Sequence, residues 1–240
     1  MIISKSLMKD TGRNYRSPRI NPAVICDFDD TTALENVAEL LLNEFGGDGW
    51  KLFREQNSRR AITLKEYQER AFRTIKVSKN EMKNLVKARA TLRPKFKELF
   101  DYCHKNNIPL VIASMGLDFY VEALLEREGM ESISHYTVDT EFTDDGIVFG
   151  YRYTWEGCWQ PGNCKCRVLE EYKRKGHCIL FAGDGNSDIC PAQKSDVVFA
   201  HRFLEKHCKQ ENLPYIYLND FSKIIDYLEA LKTSEGDVRK

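Results

Sequence analysis

The chain has 240 residues, 42% of them hydrophobic, with 36 basic and 36 acidic side chains and a formal net charge of zero. This supplies one sizeable core with room for a smaller appended unit, and it argues against a nucleic-acid or membrane-surface partner. No apolar run is long enough to span a membrane and the N-terminus lacks the apolar stretch of a signal peptide, so the eight cysteines read as reduced thiols of a cytoplasmic protein.

Residues 1–21 carry Lys5, Lys9, Arg13, Arg16 and Arg19 with little apolar content, which predicts a flexible arm. Ala23–Cys26 is a short apolar run that reads as a buried strand. It leads into Asp27-Phe28-Asp29-Asp30-Thr31, where two carboxylates two residues apart project to one side of a strand end. From Leu34 to about Thr91 the pattern is helical, with Leu34, Val37, Ala38, Leu40, Leu41 and Leu42 as an apolar face. Gly46-Gly47-Asp48-Gly49 breaks that helix, and Thr63 with Glu66 forms a capping box that opens the next. Its Tyr67, Ala71, Phe72 and Ile75 share one stripe. Residues 33–91 are therefore expected to form a helical domain inserted after the first strand.

The rhythm then changes to alternating helices and strands. Helices are predicted over 94–107, 117–129, 165–176, 187–194, 201–210 and 220–232, and strands over 108–114, 134–139, 178–182, 196–200 and 214–217. Asp144-Asp145-Gly146 signals a hairpin within 142–153. Repeated βα units predict an α/β fold with a parallel sheet covered by helices on both faces, built from 22–32 and 92–233, with 234–240 as a tail. Sites in such sheets sit at the carboxyl ends of the strands.

Four features follow the strands in order: Asp27 with Asp29, then Ser114-Met115-Gly116, then Lys165 at a helix start, then Gly183-Asp184-Gly185-Asn186-Ser187-Asp188. Each alone is an ordinary turn or surface feature. Together they supply what metal-assisted phosphoryl transfer needs. A phosphate monoester carries nearly two negative charges, so a carboxylate approaches it only when a cation such as Mg²⁺ offsets that charge. Asp184 and Asp188 add carboxylates to the metal, while Lys165, the Ser114 hydroxyl and the N–H groups near Met115 and Gly116 hold phosphoryl oxygens. Cys158, Cys164 and Cys166 share one loop but lack a paired Cys-x-x-Cys and a nearby His, so they read as loop cysteines rather than a zinc site. Trp155 and Trp159 in that loop either wall the substrate or anchor the loop.

These motifs resemble those of the haloacid dehalogenase (HAD) superfamily phosphatases, subfamily IB: Asp27 to Thr31 matches the D-x-D-x-T motif, and Ser114, Lys165 and Gly183 to Asp188 match the second, third and fourth. The resemblance spans about residues 22–232. It implies a Rossmann-like HAD core with a C1-type helical cap. It also implies a phosphoric monoester hydrolase in which Asp27 attacks phosphorus to form an aspartyl-phosphate, with Asp29 as general acid and base. Mg²⁺ would be held by Asp27, the Asp29 backbone carbonyl, Asp184 and Asp188. Within the superfamily the chain is similar to phosphatases of the methionine-salvage 1-phosphate type. Phosphoserine phosphatases carry a Glu nine residues after the nucleophile; here that residue is Asn36, preceded by Glu35. Asp30 stands where the family often has Gly. The implied partner is a small phosphorylated metabolite, a methionine-salvage-like enol phosphate first and phosphoserine second, with other monoesters or transfer to another acceptor as alternatives. Glu35, Asn36, Phe53, Arg54, Arg59 and Arg60 are the candidates to read it from the helical insert.

Overall fold

The computed structural model describes residues 20–158 and 161–236. Its strands are β1 (Pro22–Cys26), β2 (Leu110–Leu117), β3 (Ser134–Thr143), β4 (Gly146–Gly150), β5 (Cys178–Gly183), β6 (Val197–Ala200) and β7 (Ile216–Tyr217). They form one seven-stranded sheet in the order β4-β3-β2-β1-β5-β6-β7, parallel except for the β3–β4 hairpin. β1 lies at the centre, with Cys26 level with Ile112 of β2 and Ala182 of β5. That register brings the ends of β1, β2 and β5 to one edge.

The central strands are apolar throughout because both faces are covered. Val24, Cys26, Ile112, Leu180 and Phe199 face one core and Ala23, Ile25, Val111, Phe181 and Val198 face the other. On the first side lie α5 (Phe96–Lys105), α6 (Asp118–Glu128) and α10 (Ser222–Gly236), through Phe96, Leu124 and Ile224. On the second lie α7 (Lys165–Arg174), α8 (Ile189–Lys194) and α9 (Arg202–Gln210), through Leu169, Ala192 and Leu204. The fold is the predicted α/β architecture. Among the described residues no helix is long and apolar enough to cross a membrane.

Between β1 and α5 stand four helices: α1 (Val37–Phe45), α2 (Gly49–Ser58), α3 (Leu64–Phe72) and α4 (Lys79–Arg89). The Thr63–Glu66 capping box opens α3, and a second, Ser78 with Glu81, opens α4. Phe72 stacks on Tyr120 and meets Phe119 edge-on, which seats α3 against α6. An Ala33–Leu92 bridge pairs the two chain passages that join these helices to the sheet. Leu34 departs from its expected place on the apolar face and is exposed, because α1 starts only at Val37 under the Asn36 cap, and Leu34 N–H bonds the Thr91 carbonyl instead. Asn21, in the expected arm, accepts a hydrogen bond from Cys178 N–H at 2.8 Å. The tail expected from 234 is helical to Gly236. The rest of the arm and tail, 1–19 and 237–240, lie outside the described residues.

Candidate active site

Asp27 leaves β1 with its N–H still bonded to the Ala182 carbonyl at 2.9 Å, so the ladder fixes where its side chain starts. One carboxylate oxygen accepts from Phe28 N–H at 2.7 Å and the other meets Lys165 Nζ at 2.8 Å. β5 delivers Asp184, and the single turn Asn186–Asp188 folds Asp188 back beneath it. Asp188 Oδ2 accepts from the N–H groups of Asp184 (3.0 Å) and Gly185 (2.8 Å), while Oδ1 meets Lys165 Nζ at 2.5 Å. A Cβ on Gly183 would fall 2.6 Å from Asp188 Cγ, so glycine is what permits this fold-back.

These charges are almost dry: Asp27 is 7%, Asp184 9%, Lys165 5% and Asp188 0% exposed. Burial works against the Lys165 ammonium, but Asp188 and Asp27 outweigh it and raise its pKa, so it stays charged. One ammonium is thus shared by two carboxylates. Asp27 is still pushed up to about 7, by burial and then by Asp188. Asp184 is pushed up to about 8, by burial and then by Asp27 and Asp188. One oxygen of each of these three carboxylates lies within 4.8 Å of the others. Three hard oxygen donors that repel one another this strongly fit a divalent cation such as Mg²⁺. Asp188, with both oxygens already accepting hydrogen bonds, also orients Lys165 and the turn.

Asp29 points elsewhere. The turn Phe28–Thr32 carries Asp30 at φ +60°, a conformation that glycine adopts without strain and Asp tolerates. This turn aims the Asp29 carboxylate at the start of α1, where it accepts from Val37 N–H (2.7 Å) and Ala38 N–H (3.3 Å), and at the Tyr120 hydroxyl, 2.7 Å away. Its side chain is therefore outside the three-carboxylate cluster. Burial pushes Asp29 up to about 6 against the hydrogen bonds from Tyr120 and Val37. Gly116 makes room for this contact, since a Cβ there would lie 2.6 Å from the Tyr120 hydroxyl. The Thr31 hydroxyl donates to Asp184 at 3.0 Å. Arg93 braces the turn through the Thr31 carbonyl, and Asp30 pairs with Arg202 and accepts from Asn36 Nδ2. The negative charge added at position 30 is thereby offset by Arg202.

A cleft of about 290 Å³ opens over these groups. Asp27, Asp29, Ser114, Met115, Gly116, Lys165 and Asp184 all line it, so the structure brings the motif residues together, with Asp188 just behind. The Gly116 N–H is not free for a phosphate, because it donates to Ser114 Oγ at 3.0 Å. That bond leaves the Ser114 hydroxyl proton available to a ligand.

Of the insert residues singled out from sequence, Asn36 lines the cleft, but Glu35, Phe53, Arg54, Arg59 and Arg60 do not. Glu35 instead accepts from the N–H and hydroxyl of Thr91, where it ties the insert to the sheet. Arg54 is exposed and pairs with Glu39 at 2.9 Å. Besides Asn36, the insert residues that line the cleft are Ala38, Glu39, Leu42, Leu64, Tyr67, Gln68 and Phe72. Gln68 had a legible signal: it is a polar residue one place along from Tyr67 and four before Phe72, on the buried stripe. Tyr120 had none, because its role depends on α6 lying beside the Asp29 turn. Trp155 sits on a separate surface pocket with its ring under Lys194, not over the cleft, and Trp159 lies outside the described residues.

The loop cysteines lie next to Lys165. Cys164 lies close enough to Cys166 and Cys158, and Cys166 to Cys190, for their thiols to influence one another's titration. Cys166 leads the influences that lower the pKa of the Cys164 thiol.

A model of the haloacid dehalogenase-like hydrolase family matches residues 24–193. The chain is 25% identical over 215 residues to a 2-hydroxy-3-keto-5-methylthiopentenyl-1-phosphate phosphatase of Brevibacillus brevis, covering 87% of this chain and 96% of that one. It is 27% identical over 222 residues to a protein of the same description from Bacillus velezensis, covering 91% and 94%. In fold it is similar to a phospho-aspartyl intermediate analogue of phosphoserine phosphatase, with a TM-score of 0.67 at 16% identity, over 87% of this chain and 99% of that one.

Proposed function

Because the chain belongs to the haloacid dehalogenase-like hydrolase family, we propose that its cleft is the active site of a cytoplasmic Mg²⁺-dependent phosphatase acting through an aspartyl-phosphate. The observation that carries this reading is the convergence of Asp27, Lys165, Asp184 and Asp188, from three separate segments, under one cleft. The helices α1–α4 are its cap and the sheet with its flanking helices its core.

Asp27 is the nucleophile. Its oxygen is held toward the cleft by Phe28 N–H and Lys165, and it attacks phosphorus as the leaving oxygen departs. Asp29 is near enough to neutral pH to hold the proton that the leaving oxygen takes, and as a carboxylate it then draws a proton from the water that opens the intermediate. Lys165 and the Ser114 hydroxyl hold the phosphoryl oxygens. A Mg²⁺ held by Asp27, Asp184 and Asp188 would neutralise negative charge on the phosphoryl group and on the carboxylates around it.

A 2-hydroxy-3-keto-5-methylthiopentenyl-1-phosphate-like enol phosphate is the favoured substrate. Phosphoserine is disfavoured, because Asn36 spends its amide on Asp30 and on capping α1, and Glu35 is committed to Thr91. Replacing Asp27 by Asn tests the mechanism. Metal-loaded Asp27→Asn protein should release no phosphate from phenyl phosphate, and turnover above about one part in a thousand of wild type would rule Asp27 out as nucleophile.

A further inference from the structure

The wall of the cleft above the phosphate end is built by the insert, and its polar atoms have an unusual balance. Gln68 on α3 is 7% exposed, and its Nε2 donates to the Met115 carbonyl at 2.7 Å. A carbonyl only accepts, so the amide nitrogen must face Met115 and Oε1 must face away from it. Gln68 Oε1 and the hydroxyl of Tyr67 are both buried without a hydrogen-bond partner, although both residues line the cleft. Buried polar atoms in native proteins almost always find partners. With Gln68 tied to Met115, each of these cleft-lining residues keeps an unused hydrogen-bonding atom, which a donor on a ligand drawn into the cleft can pair.

Glu39 on α1 completes the group. It lines the same wall, and its pKa is raised by burial against the pull of Arg54. Among the described residues that line the cleft, Lys165 is the one cation, and the phosphatase reading gives it to the phosphoryl group beside Asp27 and Asp188. The wall therefore offers a carboxylate already paired with Arg54, an amide oxygen and a hydroxyl, with no uncommitted cation for a carboxylate on a ligand. Beside them Leu42, Leu64 and Phe72 add apolar surface.

We propose that Glu39, Tyr67 and Gln68 recognise the leaving group, selecting a phosphate monoester whose organic part carries a hydroxyl donor and an apolar portion but no carboxylate. A leaving-group hydroxyl donates to Gln68 Oε1 or Glu39 while the phosphate lies on Ser114 and Lys165. A carboxylate would meet Glu39, and the nearby Arg54 is already paired with Glu39. This inference rests on the phosphatase reading above and deepens it.

The test compares kcat/KM of the full chain with Mg²⁺ for propyl phosphate, glycerol 1-phosphate and phosphoserine. Wild type should prefer glycerol 1-phosphate over propyl phosphate, and over phosphoserine, by roughly tenfold or more. Gln68→Leu should erase most of the first preference, and Glu39→Gln should narrow the second by roughly tenfold. The proposal is overturned if Gln68→Leu lowers both alcohol phosphates by the same factor, which is what a purely structural tie to Met115 would do. It is equally overturned if wild type favours phosphoserine. If no ester, including phenyl phosphate, gives metal-dependent phosphate release, the phosphatase reading itself fails, an outcome distinct from active enzyme lacking these preferences.

Discussion

At the residue scale the site depends on two glycines as much as on its carboxylates. Gly183→Ala would drive a methyl group into Asp188 and break its bonds to Lys165 and the turn. We expect a loss of about 1–3 kcal/mol in stability, typical of overpacking a buried site, together with weaker Mg²⁺ binding seen by titration calorimetry. Unchanged metal affinity would show that Asp188 does not shape the cluster. Tyr120→Phe removes a donor that stabilises the charged form of Asp29. The pH–rate limb that belongs to Asp29 should then move upward from about 6, by roughly one pH unit if the hydrogen bond is of ordinary strength. A limb that stays in place would separate Asp29 from the acid–base step. The motif carboxylates, Ser114 and Lys165 were legible in the sequence because the chemistry demands their residue types. Tyr120, Arg93 and Arg202 were not, because they reach the site only through α6, the start of α5 and the start of α9.

At the scale of elements, the helical insert shows where pattern reading works and where it stops. The Thr63–Glu66 box needs only residues within one turn, so it was readable, and it forms as expected with Glu66 N–H on Thr63 Oγ1 at 3.1 Å. Thr63→Ala should cost about 1 kcal/mol of stability, measurable as a lower midpoint in urea with an unchanged slope; a shift as large as a core deletion would mean that the cap also holds α3 to the sheet. Which face of the insert meets the cleft could not be read in the same way. Charged residues such as Arg54 and Arg59 invite a role in anion binding, yet in the fold Arg54 pairs with Glu39 and Arg59 pairs with Glu55. The residues that face the cleft are those on the inner stripe, where Gln68 sits among apolar neighbours. The hairpin of β3 and β4 was readable from Asp144-Asp145-Gly146, but its use as a buttress for the insert, through Tyr151 on Glu69, was not.

For the molecule as a whole, the buried cluster couples stability to pH and, on the reading proposed above, to metal. Asp27, Asp29 and Asp184 are held near 7, 6 and 8, above the value of 3.8 for an exposed Asp. The folded state thus keeps protons that the unfolded chain has already released, so the contribution of these groups to metal-free stability falls as pH rises from about 4 toward 8. A Mg²⁺ bound to the ionised cluster, as proposed, should stabilise the fold increasingly over the same range, reaching about 2.7 kcal/mol at a hundredfold excess over Kd. Thermal unfolding at pH 6 and pH 8, with chelator or with Mg²⁺, checks this; a metal-induced shift in Tm equal at both values would contradict the cluster as a cation site. Asp184→Asn should flatten both trends. The amino-acid sequence by itself determined the α/β alternation, the helical insert and the four motifs, because apolar period, turn residues and reacting groups are written locally along the chain. Only the tertiary structure decided that Glu35 binds Thr91, that Tyr120 holds Asp29, and that Glu39, Tyr67 and Gln68 line the cleft. Those assignments depend on which helix faces which strand end, and that is set by packing between segments far apart in sequence.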